Sequence, residues 1–170
     1  MITERSHPPA AAPRREDLIE LALIALAGER YALETRCIRE VLPLAGLTPV
    51  PGAPDFLAGV LNLRGEILPV FDLRKLFALA AKEATALSRV IVLGAERAEF
   101  GLLAEEALGV TSLRKDEVLD PPLSAARIGR EYLRGITKDA LIVLSGEALL
   151  KDAGLAVAQD AAGEGQASGD

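Results

Sequence analysis

The stretch GVLNLRGEILPVFDLRKLF, residues 59–77, decides the fold that this sequence predicts. Two runs rich in Leu, Val and Ile flank a central Arg-Gly pair, a pattern typical of two β-strands joined by a tight turn. Residues two apart in a strand share a face. We therefore expect Leu61 and Leu63 to face a core, and Asn62 and Arg64 to face outward.

The turn between these runs places a glycine beside an arginine. Gly65 can adopt the positive φ that a tight hairpin needs. Arg64 would then be held close to rigid backbone, with a planar fork of N–H donors suited to the carboxylate or carbonyl groups of a partner. The alternative is that Arg64 is solvated, or paired with Glu66 or Asp72. These residues alone leave both interpretations open.

Similar apolar runs bounded by turn residues predict strands along most of the chain. They cover residues 18–26, 31–34, 88–93, 131–137 and 139–144, and a further return strand begins at FGLL (100–103). Helical spacing or a capping residue predicts short helices elsewhere. These are TRCIREVL (35–42), DLRKLF (72–77) capped by Asp72, a piece following FGLL, and SGEALL (145–150) capped by Ser145.

Two internal similarities predict a duplicated, mainly β fold. FLAG (56–59) precedes YLRG (132–135) by 76 residues, and YALE (31–34) precedes FGLL by 69. The order of strand pairs and short helices is the same in both halves, which favours two lobes built as small barrels. The predicted bounds are about 35–85 for lobe one and about 88–140 for lobe two, within a domain of 17–152 whose ends pack across the lobes.

Composition narrows the function classes and marks the ends of the chain. The net charge of −6, with four Phe, two Tyr and no Trp, argues against nucleic-acid binding, which favours basic patches and stacking aromatics. The apolar run at 18–28 is interrupted by Glu20 and is shorter than the roughly 20 residues of a membrane span, so no membrane insertion is expected. Residues 1–16 and 153–170 are predicted to be disordered arms.

The sequence offers no catalytic, cofactor-binding or metal site. His7, the only histidine, lies in the N-terminal arm, where it is poorly placed to act as a positioned base. Cys37, the only cysteine, cannot form an internal disulfide and is predicted to be buried and inert. One histidine and one remote cysteine make a zinc site unfavourable. No glycine-rich phosphate loop is present, and the adjacent carboxylates suit a solvated surface.

The central stretch and several later blocks together resemble the CheW family of bacterial chemotaxis coupling proteins. The most specific pattern is NLRG…PV.DLR, and the similarity extends over residues 17–152. It is carried also by TPVPGAPDFLAG upstream, IREVL (38–42), FGLLAEEALGV (100–110) and YLRGITKDALIVL (132–144). The resemblance implies two five-stranded, SH3-like barrels packed side by side, with no enzymatic activity and no cofactor.

The resemblance also implies partners and a site. Members of this family link the cytoplasmic signalling tip of chemoreceptors to the regulatory domain of a CheA-type histidine kinase, which has the same fold, so a cytoplasmic location at membrane-associated receptor arrays is expected. The receptor is expected in the groove between the lobes. The implied protein-binding residues are Arg64 with its neighbours Asn62 and Gly65, Arg39, Glu40 and Val41 of the first short helix, Gly59, and Val110 of the second lobe.

One departure and three alternatives accompany this hypothesis. Ser145 stands where the family often has an acidic residue before the last helix, but a serine can still cap that helix. The chain could instead couple receptors and kinase in a system for surface motility or gene expression. An enzyme using Glu40 or Asp72 as its carboxylate and a nucleic-acid-binding barrel are the remaining alternatives.

Overall fold

The computed structural model describes residue 12 and residues 14–122 and 130–152. The predicted arms lie outside the described residues except for residues 12 and 14–16, and His7 also lies outside them. The described chain forms ten strands and two short α-helices, joined by 3₁₀ turns. The strands are Leu18–Leu26 (β1), Glu29–Glu34 (β2), Ile38–Pro43 (β3), Leu57–Leu63 (β4), Glu66–Phe71 (β5), Arg89–Leu93 (β6), Phe100–Ala104 (β7), Glu106–Arg114 (β8), Leu133–Ile136 (β9) and Ile142–Leu144 (β10). The helices are Leu73–Leu76 (α1) and Gly146–Lys151 (α2), and the 3₁₀ turns are Arg15–Asp17, Thr35–Cys37, Lys115–Glu117 and Arg130–Tyr132.

The strands form two mixed sheets of five, which confirms the predicted mainly β fold with two five-stranded units. One sheet has the order β3-β6-β7-β5-β4 and is built from one continuous part of the chain, so we call its unit the continuous lobe. The other has the order β8-β1-β2-β10-β9 and draws on both ends of the described chain, so we call its unit the split lobe. In each sheet the fourth strand is parallel to the third and antiparallel to the fifth.

The two lobes share one topology in permuted order. In the continuous lobe the chain runs β3, β4, β5, α1, β6, β7, whereas in the split lobe it runs β8, β9, β10, α2 and takes β1 and β2 from the N-terminal side. The two internal similarities therefore mark equivalent strands: YALE in β2 and FGLL in β7, FLAG leading β4 and YLRG leading β9. The strand pairing differs from the predicted lobe bounds, because β6 and β7 pair with β3 and β5 rather than with β8–β10.

Two segments predicted to be helical form strands instead. Residues 35–42 form a 3₁₀ turn and then β3, which pairs antiparallel with β6. The residues after FGLL form β8, which pairs antiparallel with β1. In β3 the side chains alternate between half-buried and exposed, a period of two that fits a sheet edge. Pairing with a neighbouring strand therefore overrides the apolar spacing that suggested a helix.

Among the described residues, one isolated bridge partly closes each lobe. In the continuous lobe, Thr48 and Val60 exchange backbone hydrogen bonds of 2.9 Å and 2.8 Å. In the split lobe, Leu119 and Ile136 exchange bonds of 2.9 Å and 2.8 Å. Both bridges join the chain that follows the first edge strand to the opposite edge strand. The barrel closure implied by the family resemblance thus consists, in the described residues, of one two-bond bridge per lobe rather than a continuous ladder.

A glycine precedes the bridged residue in each lobe, at the end of FLAG and of YLRG. A Cβ on Gly59 would lie 2.5 Å from the Thr48 carbonyl oxygen, and a Cβ on Gly135 would lie 2.4 Å from the Leu119 carbonyl oxygen. Real Cβ atoms do not approach backbone so closely, so each bridge needs a residue without a side chain at this position.

The cores explain why several strands are apolar on both faces. The largest cluster contains residues of both sheets and lies between the lobes. Within it, the rings of Phe71 and Phe100 meet edge to face, with their centroids 5.5 Å apart. A smaller cluster fills each lobe. On β6, Ile91 faces the cluster between the lobes while Val90 and Val92 face the interior of the continuous lobe. A strand buried on both faces reads as a continuous apolar run.

A buried arginine of the continuous lobe binds two carboxylates. Asp72 caps α1 by accepting a hydrogen bond from the backbone N–H of Arg74 at 3.0 Å, which confirms the predicted cap. The Asp72 carboxylate also accepts two bonds from the Arg74 guanidinium, at 2.9 Å and 3.0 Å. Nη1 of Arg74 donates to Glu105 at 3.0 Å and to the Lys82 carbonyl oxygen at 2.9 Å. The arginine of the Asp-Leu-Arg motif therefore has a structural role.

Glu105 carries this network into the split lobe. It lies between β7 and β8, and its carboxylate accepts the backbone N–H groups of Ala27 at 2.9 Å and Gly28 at 3.1 Å, in the β1–β2 turn. Burial acts to raise the pKa of Glu105, but the bonds from Gly28, Arg74 and Ala27 outweigh it and hold the pKa below its ordinary value. The ionised carboxylate therefore stabilises the fold above the ordinary carboxyl pKa, and this contribution is lost as the pH falls through the lowered value.

Candidate functional site

The central hairpin presents an arginine at the tip of two paired strands. Leu63 pairs with Glu66, so Arg64 and Gly65 form a two-residue turn. Their φ angles are 52° and 86°, the positive values of a type I′ turn. Asn62 and Arg64 are exposed, and the leucines beside them are half-buried. The structure thus confirms the predicted hairpin, the positive φ of the glycine and the outward face.

The guanidinium of Arg64 lies against one carboxylate. Nη1 of Arg64 donates to Oε1 of Glu40 at 2.8 Å, and Nη2 donates to Oε2 at 3.0 Å. Of the predicted alternative partners, Asp72 binds Arg74 instead, and the guanidinium of Arg64 bonds to Glu40 rather than to Glu66. The Arg64 side chain is 73% exposed and that of Glu40 is 27% exposed. The hydrogen bonds from Arg64 hold the pKa of the Glu40 carboxyl below its ordinary value.

This bidentate pair fixes a charged group on the surface without burying it. Parallel N–H···O bonds between a guanidinium and a carboxylate are directional and restrict the side chain to one plane. Glu40 uses only part of the donor set of Arg64, so the exposed side chain keeps N–H groups for a partner. The arrangement suits recognition of another protein.

The strand β3 that carries Glu40 has a bulge beside this residue. Ile38 pairs with Leu93 and Glu40 pairs with Val92, so Arg39 is the extra residue. Arg39 is exposed, and Val41 is 44% exposed. The three residues lie on an edge strand, which corrects the expectation that they belong to a short helix. Bulges redirect side chains at sheet edges. The bulged edge of β3 carries the charged side chains of Arg39 and Glu40 and the apolar side chain of Val41.

Val110 lies in the split lobe at the position equivalent to Val41. In β8, Ala107 pairs with Ile24 and Gly109 pairs with Leu23, so Leu108 is the extra residue of a second bulge. Val110 follows it by two residues, as Val41 follows Arg39, and is 63% exposed. Val110 therefore lies on the other lobe and is not part of the Arg64–Glu40 ion pair. The two lobes present equivalent bulged edges, one charged and one apolar.

The two glycines predicted for this site act through the backbone. Gly65 completes the turn that carries Arg64. Gly59 is buried at the Thr48 bridge and offers no surface to a partner. A side chain at this position would meet the Thr48 carbonyl oxygen at 2.5 Å, so Gly59 serves the closure of the continuous lobe.

Other candidate residues have structural surroundings. Cys37 is buried, as predicted, and burial raises the pKa of its thiol. Neither carboxylate of the enzyme alternative suits a catalytic role, because Glu40 is bound to Arg64 and Asp72 to Arg74. Within the described ranges, no three His, Cys, Asp or Glu side chains are grouped to bind a metal ion. In that same part of the chain, no helix has the length and apolar character to span a bilayer.

Sequence reasoning missed the Arg64–Glu40 bond and the second bulge. The pair is separated by 24 residues, and no periodicity links a strand edge to the tip of a distant hairpin. Nothing in the sequence marks Leu108 as the extra residue of a bulge, because a bulge depends on how β8 pairs with β1. The opposite charges of Glu40 and Arg64, both singled out by the resemblance, were the only available hint of their contact.

The chain is similar in sequence and in fold to known proteins. Residues 20–154 match the family model described as CheW-like domain. The chain is 29% identical over 138 residues to "Chemotaxis protein CheW" of Treponema pallidum, covering 76% of this chain and 80% of that protein. It is 30% identical over 146 residues to the protein of that name from Klebsiella aerogenes, covering 84% and 88%. The crystal structure of scaffolding protein TtCheW from Thermoanaerobacter tengcongensis has a TM-score of 0.69 at 27% identity, covering 82% of this chain and 88% of that one.

Proposed function

Because this chain belongs to the CheW-like domain family, we propose that it links the cytoplasmic signalling tip of chemoreceptors to a histidine kinase. Membership makes the chain a non-enzymatic chemotaxis scaffold whose partners are components of chemotaxis signalling. We further propose that the kinase is of the CheA type and that the chain acts in the cytoplasm, at membrane-associated receptor arrays.

The Arg64–Glu40 pair is the observation that supports the receptor site. A scaffold needs an exposed group whose direction is fixed before the partner arrives, because ordering a long side chain on binding costs affinity. Arg64 meets this need, since it combines 73% exposure with two hydrogen bonds to Glu40. It can donate to carbonyl or carboxylate groups of a receptor helix. The proposed site consists of Arg64, Glu40, Arg39 and Val41, with Val110 on the equivalent edge of the split lobe.

A second surface would hold the regulatory domain of a CheA-type kinase. Binding two partners at once raises their effective concentration toward each other without new contacts between them. A change in the receptor reaches the kinase only where the bridged contacts differ in free energy between receptor states. The chain would therefore transmit a signal by holding both proteins in one assembly and not by chemistry of its own.

Replacing Arg64 by alanine is expected to weaken binding to a receptor signalling-tip fragment by about 5- to 150-fold, the range of an interface hot spot. The variant should unfold at nearly the same temperature as the parent, because the side chain is exposed and surface ion pairs contribute little to stability. Isothermal titration calorimetry with the fragment measures the affinity.

The matched control is Arg14→Ala, which removes an arginine whose side chain is 81% exposed and paired with Glu16, just before β1 of the split lobe. It changes the net charge equally and should leave the affinity within about twofold, since a charge outside the proposed site acts only through screened long-range fields. Equal affinities for the two variants would remove Arg64 from the site.

A further inference from the structure

The backbone at the hairpin tip is unusual for a long side chain. Among the described residues, four that are not glycine have positive φ: Ala27, Ala78, Ala140 and Arg64. Three of these are alanines, and only Arg64 carries a long polar side chain. The left-handed region is unfavourable for any residue with a Cβ and persists only where its surroundings fix it. Another interaction must therefore stabilise the turn at Arg64.

The chain contains a second hairpin with nearly the same turn. Ala27 and Gly28 have φ of 53° and 77°, against 52° and 86° for Arg64 and Gly65. In the β1–β2 turn, the carboxylate of Glu105 accepts both turn N–H groups, as described above. In the β4–β5 turn, Oδ1 of Asn62 accepts the N–H of Gly65 at 2.9 Å. Each turn is thus held by a side-chain oxygen on a turn N–H.

We propose that Asn62 is a positioning residue, which holds the turn so that the Arg64 guanidinium meets Glu40 and faces the receptor. Asn62 acts through Arg64 and makes no contact with the receptor that matters for affinity. This inference deepens the proposed function, and its receptor-binding consequence rests on that function. Its structural part concerns the turn alone.

The chemistry of the side chain supports this role. Asparagine and aspartate hydrogen-bond backbone N–H groups a few residues further along the chain and so stabilise turns. Only the acceptor oxygen takes part here, so an aspartate can replace it, whereas an alanine cannot. The bidentate bond to Glu40 needs the guanidinium in one plane, and that plane depends on the direction in which the turn sends the Arg64 side chain.

The test uses the full chain with Asn62→Ala, Asn62→Asp, Arg64→Ala and the double variant Asn62→Ala/Arg64→Ala. Two measurements need no partner: hydrogen exchange of the Gly65 amide and an NMR titration of the Glu40 carboxyl. Asn62→Ala should speed the exchange and return the pKa of Glu40 toward its ordinary value. Asn62→Asp should leave the Gly65 amide protected.

The third measurement is affinity for a receptor signalling-tip fragment. Asn62→Ala should weaken it by about 2- to 10-fold, the contribution of one ordinary hydrogen bond. The affinity of Asn62→Asp should stay within about twofold of that of the parent chain. In the Arg64→Ala background, Asn62→Ala should have no further effect, because a residue that acts only through Arg64 has nothing left to position.

Two results would overturn the proposal. An equal loss of affinity on adding Asn62→Ala to Arg64→Ala would show that Asn62 contacts the receptor itself. Unchanged Gly65 exchange and Glu40 titration in Asn62→Ala would show that the turn does not depend on Asn62. If the parent chain fails to bind the fragment, the proposed receptor site fails, while the exchange and titration results still decide the role of Asn62.

Discussion

Replacing Arg74 by methionine is expected to lower the free energy of unfolding by about 3–5 kcal/mol, the loss typical of breaking a buried ion pair. The guanidinium is 10% exposed and binds Asp72 and Glu105, which are 7% and 15% exposed. Methionine fills much of the same volume but leaves these two carboxylates without their cation. The loss should appear as a fall of about 6–20 °C in the unfolding temperature, for a chain of this size.

Lys75→Met provides the matched control. Lys75 follows Arg74 on α1 but is exposed, so its replacement should change the free energy of unfolding by less than about 0.5 kcal/mol. Thermal and urea unfolding, followed by circular dichroism, measure both variants. A loss below about 1 kcal/mol for Arg74→Met would show that the network does not hold the lobes together, and that solvent or rearranged side chains satisfy the two carboxylates.

Replacing Gly59 by alanine is expected to lower the free energy of unfolding by about 2–5 kcal/mol. The added Cβ would meet the Thr48 carbonyl oxygen at 2.5 Å and the Leu47 side chain at 3.0 Å. The backbone would have to move apart, which strains the core and weakens the two bonds of the Thr48–Val60 bridge. Gly135→Ala should cause a similar loss in the split lobe, because the Leu119 bridge has the same geometry.

Gly52→Ala separates the steric effect from the backbone effect. Gly59 and Gly52 both have a positive φ, 155° and 78°, but a Cβ on Gly52 would have nothing within 4 Å. Its replacement should cost about 1 kcal/mol, the penalty of a left-handed alanine. Chemical unfolding of Gly59→Ala, Gly135→Ala and Gly52→Ala tests the comparison. Equal losses at Gly59 and Gly52 would mean that bridge closure does not require a bare backbone.

Features set by neighbouring residues could be predicted from the sequence. The hairpin at Arg64 and Gly65 follows from two apolar runs and a glycine, and the caps by Asp72 and Ser145 follow from residue type and position. Both caps are present, with Ser145 accepting the backbone N–H of Ala148 at 3.1 Å. The repeated FLAG and YLRG segments also mark equivalent strands of the two lobes, and each places a glycine beside a bridge.

Features set by distant pairing could not be predicted. The spacing of Cys37, Ile38, Val41 and Leu42 suits one face of a helix, but only the contact of β3 with β6 decides that the segment is a strand. The predicted lobe bounds differ from the strand pairing because the split lobe takes β1 and β2, the equivalents of β6 and β7, from the N-terminal side of the chain. The Glu40–Arg64 bond and the Arg74–Glu105 network join residues that no local pattern connects.

Kinase activity in a reconstituted mixture tests the central claim most directly. The mixture contains receptor signalling-tip fragments, a CheA-type kinase and this chain at a concentration near its receptor affinity. We predict that receptor control of the kinase requires the chain and falls with Arg64→Ala at that concentration, in proportion to the lost receptor occupancy. It should return when the concentration of the variant is raised by the factor of its measured loss of affinity. Receptor control that is the same without the chain, or with Arg64→Ala at the limiting concentration, would contradict the account.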